Sequence, residues 1–178
     1  MKKYIKIKYA LCFLVVTTIV MSVTFYMFYN TKLVDMKENL KMTGEAIRVS
    51  KLAENISFDE YASLIGNTNK NLRATIINLE GKVLGDSETV IYLMDNHKDR
   101  KEVSEAIKKG YGEDVRISET TGIKTIYTAT KINDNIILRL SYPLSQTYDF
   151  IKIMIPIIVV LSIIMFIIIN ILTNNLSY

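Results

Sequence analysis

The chain has 178 residues, of which 49% are hydrophobic, and it carries 22 lysines and arginines against 18 aspartates and glutamates. Four of these lysines precede Tyr9, so the net charge of +4 belongs to the N-terminal tail and the rest of the chain is neutral overall. This distribution argues against nucleic acid as a partner, and the single cysteine, Cys12, excludes an intramolecular disulfide.

Two uncharged, apolar runs predict transmembrane helices at residues 9–30 and 153–172. Each is long enough, because about 20 apolar residues cross a hydrocarbon core. The first run is longer than the apolar part of a signal peptide, which has about 7–15 residues, and no typical cleavage site follows it. We therefore expect an uncleaved anchor.

The basic residues before the first run predict the orientation of the chain in the plasma membrane. They are Lys2, Lys3, Lys6 and Lys8. Because cytoplasmic flanks are rich in lysine and arginine, we expect residues 1–8 to be a cytoplasmic tail and residues 173–178 a second cytoplasmic end. Residues 31–152 then form an extracytoplasmic domain.

The domain begins with a helical pattern over residues 31–56. A seven-residue spacing relates Leu33, Met36, Leu40 and Ile47. A second apolar face carries Val49, Leu52, Ala53 and Ile56. Two interpretations stay open. The first is a homodimer seam through residues 31–56, and the second is one amphipathic helix packed on the core of a single subunit.

The next segments predict a short helix and a hairpin. Ser57 and Glu60 have the spacing of a capping box, which favours a helix that starts after Ser57. Residues 72–86 contain two β-branched, apolar runs around the turn Glu80-Gly81-Lys82, as is typical of a β-hairpin.

The stretch from Met94 to Gly110 contains the only histidine and the clearest helix start signal. Asp99 is predicted as the N-cap of a short helix, and Glu102 completes a capping box. The predicted apolar face of this helix carries Val103, Ala106 and Ile107. Gly110 is predicted to end the helix.

Three further runs predict strands at residues 113–119, 124–132 and 136–142, and Pro143 ends the last. Their short connections favour an antiparallel meander. Together with the hairpin they predict an α+β fold, in which a five-stranded antiparallel sheet carries helices on one face.

Several motifs resemble the extracytoplasmic PAS-like (PDC, or single Cache) sensor domains of bacterial sensor histidine kinases, in particular the PhoR-type and cell-wall-sensing branch of Gram-positive bacteria. The motifs are the stretches at residues 73–88 and 94–103, followed by Arg116-Ile-Ser, Tyr127-Thr-Ala and Leu138-Arg-Leu-Ser. The likeness covers roughly residues 9–172. It implies a PAS-like sheet with a long N-terminal helix and a role as the signal-input part of a two-component system.

The chain departs from this family at its C-terminal end. Such kinases continue from the second span into a cytoplasmic linker, a phosphoacceptor helix and an ATP-binding domain, whereas this sequence stops shortly after Leu172. We therefore expect no kinase activity, and no other enzymatic activity, from this chain by itself, with the parent protein a histidine kinase.

The resemblance implies a pocket between the sheet and the segment that crosses over it. The residues that could line it, as ligand-binding or signalling groups, are His97, Arg100, Arg116, Tyr127 and Arg139.

Each of these candidates has a structural interpretation as well. His97 could act as a pH switch or ligand contact, or it could only bond the backbone in a turn. Arg100 could hold an anion or pair with Asp95 or Asp86. Strict alternation places Arg116 in solvent, whereas Arg139 interrupts an apolar strand and is the better candidate for a buried charge.

Metal and cofactor chemistry is not expected. One histidine and no extracytoplasmic cysteine disfavour zinc, and the acidic residues have no EF-hand spacing. The leading hypothesis is a dimeric, membrane-anchored sensor module that receives a small-molecule or protein ligand. The alternatives are a stand-alone two-span protein that binds and regulates another membrane protein, and the sensor half of a chemoreceptor.

Overall fold

A computed structural model describes residues 2–50, 56–119 and 121–175. Within these ranges the chain forms four α-helices, one 3₁₀ turn and five β-strands. In chain order they are α1 (Lys2–Ser50), α2 (Phe58–Gly66), β1 (Arg73–Asn78), β2 (Val83–Asp86), the 3₁₀ turn (Ile91–Leu93), α3 (Lys101–Lys109), β3 (Tyr111–Ile117), β4 (Lys124–Lys131), β5 (Ile136–Pro143) and α4 (Ser145–Asn175).

The chain divides into two compact units. One contains the N-terminal part of α1 together with α4, and the other comprises Leu33–Ser145. By length and composition, α1 and α4 are both able to cross a membrane. The second unit contains the sheet and is the part that concerns the candidate site.

The five strands form one antiparallel sheet in the order β2-β1-β5-β4-β3. The hairpin β1–β2 and the meander β3–β4–β5 were both predicted, and the α+β class with a long N-terminal helix is confirmed. Because the chain leaves β2 at one edge and re-enters at β3 on the other, the connection with α3 must cross a face of the sheet.

The first face of the sheet is covered by α1 and α2. Side chains alternate along each strand, so Ile76 of β1 and Leu138 of β5 point to the same side. There they pack with Leu40 of α1 and with Ala62 and Ile65 of α2 in one buried cluster. At about 25 cal/mol per Å² of apolar surface, this burial is the main stabilising term of the domain.

The second face is covered in part by α3, so the expectation of helices on one face is wrong. Val103 and Ala106 of α3 pack with Ile77, Ala129 and Ile137 in a second buried cluster. The crossover places an amphipathic helix on this face of the sheet, and the apolar stripe of the helix is directed at the strands.

Gly112 sets the separation between α3 and β3. A Cβ at this position would overlap the carbonyl oxygen of Glu102 and come within 2.6 Å of Cβ of Glu105. Only glycine allows so close an approach of backbone to backbone, and this approach brings the side chain of Glu102 over the sheet.

The N-terminus of α3 differs from the predicted capping box. The N-cap is Arg100, without a side-chain hydrogen bond to the helix, and Glu102 is fully buried. Its carboxylate is turned to the sheet, where two arginines bind it, and is therefore not available as a capping group. The predicted end of the helix is confirmed, because Gly110 has a left-handed backbone with φ 86°.

The proposed dimer seam of the first helix is instead its core face. Leu40 is buried against the sheet, and Leu33, Met36 and Ile47 pack beside it, as in the single-subunit interpretation. On the second apolar face of α1, the side chain of Val49 is 76% exposed. The described helix ends at Ser50, Ile56 is not helical, and the predicted positions Leu52 and Ala53 lie outside the described residues.

Candidate functional site

A cavity of about 370 Å³ lies over the part of the second sheet face that α3 leaves open. Its floor is formed by side chains of β1, β3, β4 and β5, and its wall by the segment that links β2 to α3 and by the β3–β4 turn. The floor residues are Arg73, Arg116, Thr125, Tyr127, Arg139 and Ser141. The cavity therefore lies between the sheet and the connecting segment, where the family resemblance implied a pocket.

Glu102 binds two arginines beside this floor. Its Oε1 accepts hydrogen bonds from Nε of Arg139 at 2.8 Å and from Nη2 of Arg116 at 3.0 Å, and its Oε2 accepts one from Nη1 of Arg116 at 2.7 Å. Arg116 also donates to Asp114 at 2.6 Å. The two carboxylates match the two guanidinium groups in number, and Nζ of Lys101 lies 4.0 Å from Oδ1 of Asp114.

The strand register explains why these arginines meet. Ala129 of β4 lies opposite Arg139, and Thr125 lies opposite Arg116, so Tyr127 stands between the two guanidinium groups on the same face. Their Cζ atoms lie 4.0 Å (Arg116) and 4.4 Å (Arg139) from the centre of the Tyr127 ring. Each contact is a cation–π interaction.

The cluster keeps its charges at neutral pH. Burial raises the pKa of Glu102, but hydrogen bonds from Arg116 and the charge of Arg139 outweigh burial and bring the pKa to about 2. Burial lowers the pKa of Arg139, and the neighbouring Glu102 opposes that effect. Removal of the Glu102 charge would leave Arg139 buried without its anionic partner, which is strongly unfavourable.

His97 is buried at the wall of the cavity, with 8% of its surface exposed. Its backbone is fixed, because its N–H donates to Gly81 O at 2.8 Å and its carbonyl accepts from the Arg100 N–H at 3.1 Å. The side-chain Nδ1 is buried and has no hydrogen-bond partner among the described residues. Burial, together with the charges of Arg139 and Arg100, lowers the pKa of the imidazole to about 4.

The backbone-bonding interpretation of His97 holds for its main chain, and a backbone hydrogen bond with Asn96 also acts on the imidazole, whose pKa it raises. The imidazole is neutral at physiological pH, and one of its nitrogens lacks the partner that buried polar groups normally have. Such a group beside a cavity is the kind that a bound molecule or a water would satisfy.

Arg100 lies at the mouth of the cavity and pairs with Glu119. Its Nη1 and Nη2 donate to the two carboxylate oxygens of Glu119 at 3.0 and 2.7 Å. The expected pairing with Asp95 or Asp86 is wrong, because the β3–β4 turn brings Glu119 to the guanidinium and Asp86 is engaged elsewhere.

Asp86 organises the start of the connecting segment, a role that the sequence reasoning missed. Its carboxylate accepts hydrogen bonds from the N–H groups of Glu88 and Thr89, from the hydroxyl of Thr75 at 2.7 Å, and from Nε of Arg73 at 3.1 Å. The sequence feature that indicates this role is an aspartate at the end of a strand, where its side chain can cap the turn that follows.

The structure brings all five predicted residues to one cavity. His97, Arg100, Arg116, Tyr127 and Arg139 line it, and Arg139 is buried as expected. The expectation that Arg116 points into solvent is wrong, because Glu102 on α3 draws its guanidinium over the sheet. Glu102 was missed as a site residue since its spacing fitted a helix cap. The lone arginine in the apolar β5 strand was the signal that such a partner exists.

Metal-binding clusters are not found in the described residues, where no group of three or more histidine, cysteine, aspartate or glutamate side chains is placed to hold an ion. The cavity offers arginine, imidazole, hydroxyl and aromatic groups. These recognise organic molecules through hydrogen bonds and stacking.

Comparisons with known proteins add one structural likeness. No protein-family model matches the sequence, and no curated protein matches it. Nine chains of solved structures match. One is the ligand binding domain of Mlp24 with asparagine, at 13% identity and a TM-score of 0.46, covering 66% of this chain and 52% of that chain. The match thus spans about half of that protein, and it does not bear on the ligand or the activity of this chain.

Proposed function

We propose that this chain is the membrane-anchored signal-input module of a sensor protein, and that it binds a small molecule in the cavity over the second sheet face. The observation that carries the proposal is the cavity itself, where the buried residue His97 meets Arg116, Tyr127 and Arg139 on one face of the sheet. A mostly pre-formed pocket with a few convergent polar groups is the usual form of a small-molecule site.

The membrane anchor is supported by the two apolar helices. Both α1 and α4 are long and apolar enough to cross a bilayer, and the four lysines before Tyr9 favour a cytoplasmic N-terminus. The cavity domain then lies outside the cell and α4 leads back to the cytoplasm, where the signal would be delivered by a displacement of helices.

The proposal also specifies the parent protein, which we take to be a sensor histidine kinase. It rests on the resemblance of residues 73–88 and 94–103 to the PAS-like outer domains of sensor histidine kinases. In this view the chain supplies the input of a two-component system and performs no catalysis itself. Dimerisation belongs to the same proposal, with the transmembrane helices as the contact, because the predicted seam of α1 packs on its own sheet.

A protein-binding role is the second candidate, and one surface favours it. Val90, Tyr92 and Leu93 are exposed apolar side chains, 53–80% accessible, around the 3₁₀ turn. Exposed apolar side chains that cluster in this way often mark protein contacts. A stand-alone two-span regulator of another membrane protein would lose its partner in a variant with Val90→Ser and Tyr92→Ser, while small-molecule binding would persist, because neither residue lines the cavity.

The experiment that tests the sensor proposal is a binding screen with the full chain in lipid nanodiscs. A panel of amino acids, organic acids, amides and sugars is scored by thermal shift, and the affinity of each binder is then measured for His97→Ala and Lys98→Ala. Lys98 is the matched control, since it is exposed in the same turn and does not line the cavity. We expect the affinity to fall at least about tenfold for His97→Ala alone.

Two results would contradict the sensor proposal. One is a panel without any binder, and the other is a binder whose affinity is the same for both variants, because such a molecule would bind outside the cavity.

A further inference from the structure

β3 forms one edge of the sheet, and the other edge is formed by β2. β2 has only four residues, and its Asp86 N–H donates to Oδ1 of Asp59 at 3.2 Å. β3 has seven residues and contains neither lysine nor proline, the residue types that commonly protect an exposed edge. Among the described residues, β3 pairs with no strand other than β4. The fold thus leaves one long edge open to a further strand.

The strand register shows which backbone groups of β3 point away from the sheet. The Lys131 N–H donates to Gly110 O at 2.8 Å. At the other end of β3, the Ser118 N–H donates to Ile123 O at 2.9 Å. In an antiparallel pair, such hydrogen-bonded positions alternate with positions whose N–H and C=O groups point outward. The outward-pointing groups of β3 therefore belong to Tyr111, Glu113, Val115 and Ile117.

A groove of about 540 Å³ follows this edge, between β3 and α1. Two contacts join its walls. Nζ of Lys37 lies 2.7 Å from Oε1 of Glu113, and Nζ of Lys41 lies 5.1 Å from the centre of the Tyr111 ring. A strand added to an edge gains affinity from main-chain hydrogen bonds and specificity from pockets for alternate side chains. The edge of β3 offers the first, and the groove offers the second.

One row of α1 side chains forms the outer wall of the groove. Val34, Glu38 and Met42 follow each other at four-residue intervals and line the groove, so they lie on one face of the helix. Val34 is 57% exposed and Met42 is 64% exposed. The two lysines of the groove already contact β3, and Glu45 pairs with Arg48 at 2.6 Å. Glu38, between two exposed apolar side chains, is therefore the charge that the groove presents to a partner.

The spacing of this row defines the strand that fits it. The helix rises about 12 Å from Val34 to Met42, and a strand covers this length in about four residues. Strand positions one, three and five lie on the same face. A fitting strand thus has apolar residues at positions one and five, and a basic residue at position three opposite Glu38.

A second copy of this chain is not the strand that fits. The side chains of β3 that share the face of the groove are Tyr111, Glu113 and Val115 in succession, so Glu38 would meet an acidic residue at the middle position. Direction is a second obstacle. A two-fold axis that joins two β3 edges in one sheet makes the strands antiparallel, and it reverses α1 as well. Two copies anchored in one membrane through α1, as the proposed function requires, have parallel α1 helices.

From the open edge, the groove and the row on α1, we infer that β3 accepts an added strand from a protein partner, with a basic residue between two apolar residues at alternate positions. The added strand extends the sheet beyond β3, and its basic side chain pairs with Glu38. This surface is separate from the cavity over the second sheet face, because the groove and the cavity share no residue.

The experiment uses the full chain in nanodiscs, with the blocked heptapeptide Thr-Val-Thr-Lys-Thr-Val-Thr as the probe. A control peptide has glutamate in place of lysine. Amide hydrogen exchange of β3 is followed by NMR, and peptide affinity is measured by calorimetry. Glu38→Lys has Asp35→Lys as its matched control, since Asp35 is exposed on the same helix but does not line the groove. Glu113→Pro is compared with Glu113→Ala, because both remove the carboxylate but only proline removes an outward-pointing N–H, which an edge strand tolerates.

We expect the lysine peptide to slow the exchange of the Tyr111, Glu113 and Val115 N–H groups. The N–H groups of Gly112 and Asp114, which already bond β4, should not change. Glu38→Lys should weaken binding of the lysine peptide about fivefold and strengthen binding of the glutamate peptide. Asp35→Lys should keep the native preference. Glu113→Pro should bind the lysine peptide about fivefold more weakly than Glu113→Ala.

Three results would overturn the inference: unchanged exchange of the outward-pointing groups, equal affinity of the native chain for both peptides, or an unaltered preference in Glu38→Lys. Protection that appears without peptide and grows with protein concentration would identify a second copy as the occupant, and would also contradict the inference. If the amide signals of β1 show that Glu113→Pro does not fold, the exchange data and Glu38→Lys decide. None of these results bears on the cavity, which the binding screen tests separately.

Discussion

Glu102 is the residue on which the cavity floor depends. It is fully buried on α3 and neutralises arginines from β3 and β5, which in turn enclose the ring of Tyr127. Three elements are thereby joined through one carboxylate. A side chain with this many buried, charged partners is expensive to alter.

We therefore predict that Glu102→Gln destabilises the domain by about 3–5 kcal/mol, because it leaves Arg139 buried without an anionic partner. Glu105→Gln, on the same helix, is the control and should change the free energy of unfolding by less than about 0.5 kcal/mol. Urea unfolding of the full chain in micelles, followed by near-UV circular dichroism of the tyrosines, measures both. Equal stability of the two variants would show that the carboxylate cluster is not structural.

His97 gives a pH prediction with a definite sign. Its pKa in the folded chain is about 4, below the ordinary 6.5, because of burial and the charges of Arg139 and Arg100. A backbone hydrogen bond with Asn96 and the charge of Glu102 oppose this shift. Between these values the unfolded chain binds more protons than the folded chain. The neutral imidazole therefore contributes its full share to stability above pH 6.5, and this share is lost as the pH falls toward 4.

NMR titration of the single imidazole checks this prediction. We expect a midpoint well below 6.5, near pH 4, while the domain remains folded. A midpoint at 6.5 would mean that the imidazole is solvated and does not form the cavity wall.

At the residue scale, the sequence was informative where a side chain violated its local pattern. Arg139 stands in an apolar strand and was expected to be buried for that reason. Glu102 fitted its local sequence pattern, since glutamate is common in the first turn of a helix. Its burial depends on the crossover, which places α3 on the sheet. Pairings such as Arg100 with Glu119 join residues that only the tertiary fold brings together.

At the scale of elements, α1 shows how one pattern can serve two structures. A seven-residue apolar spacing fits a coiled-coil seam and also the face of a helix packed on a sheet. The sheet decides between them, because Leu40 and its neighbours are needed to cover Ile76 and Leu138. The strands were easier to predict, since β-branched runs separated by short turns have few alternatives.

This assignment of α1 predicts that Leu40→Ala lowers the free energy of unfolding by about 2–5 kcal/mol through the cavity that it leaves in the core. Val49→Ala, an apolar truncation on the exposed face of the same helix, should cost less than about 0.5 kcal/mol. Denaturant unfolding at two protein concentrations measures both effects. If the loss of stability in Leu40→Ala disappears at high protein concentration, Leu40 stabilises a contact between two chains, and the dimer-seam interpretation would be correct.

At the scale of the whole molecule, the proposal requires the two ends of the chain on one side of the membrane and the cavity domain on the other. In a Cys12→Ser background, Asn135→Cys in the β4–β5 turn should react with a membrane-impermeant maleimide in intact cells. Lys3→Cys should react only after permeabilisation. Labelling of Lys3→Cys in intact cells would reverse the topology.

The central claim is that the cavity beside His97 is the signal-input site of the molecule. It is tested most directly by NMR of the single imidazole in the full chain, titrated with a binder found in the nanodisc screen. We predict that the His97 signals shift and saturate with the same Kd that thermal or calorimetric binding gives. A binder that saturates the chain while the His97 signals stay unchanged would contradict the claim.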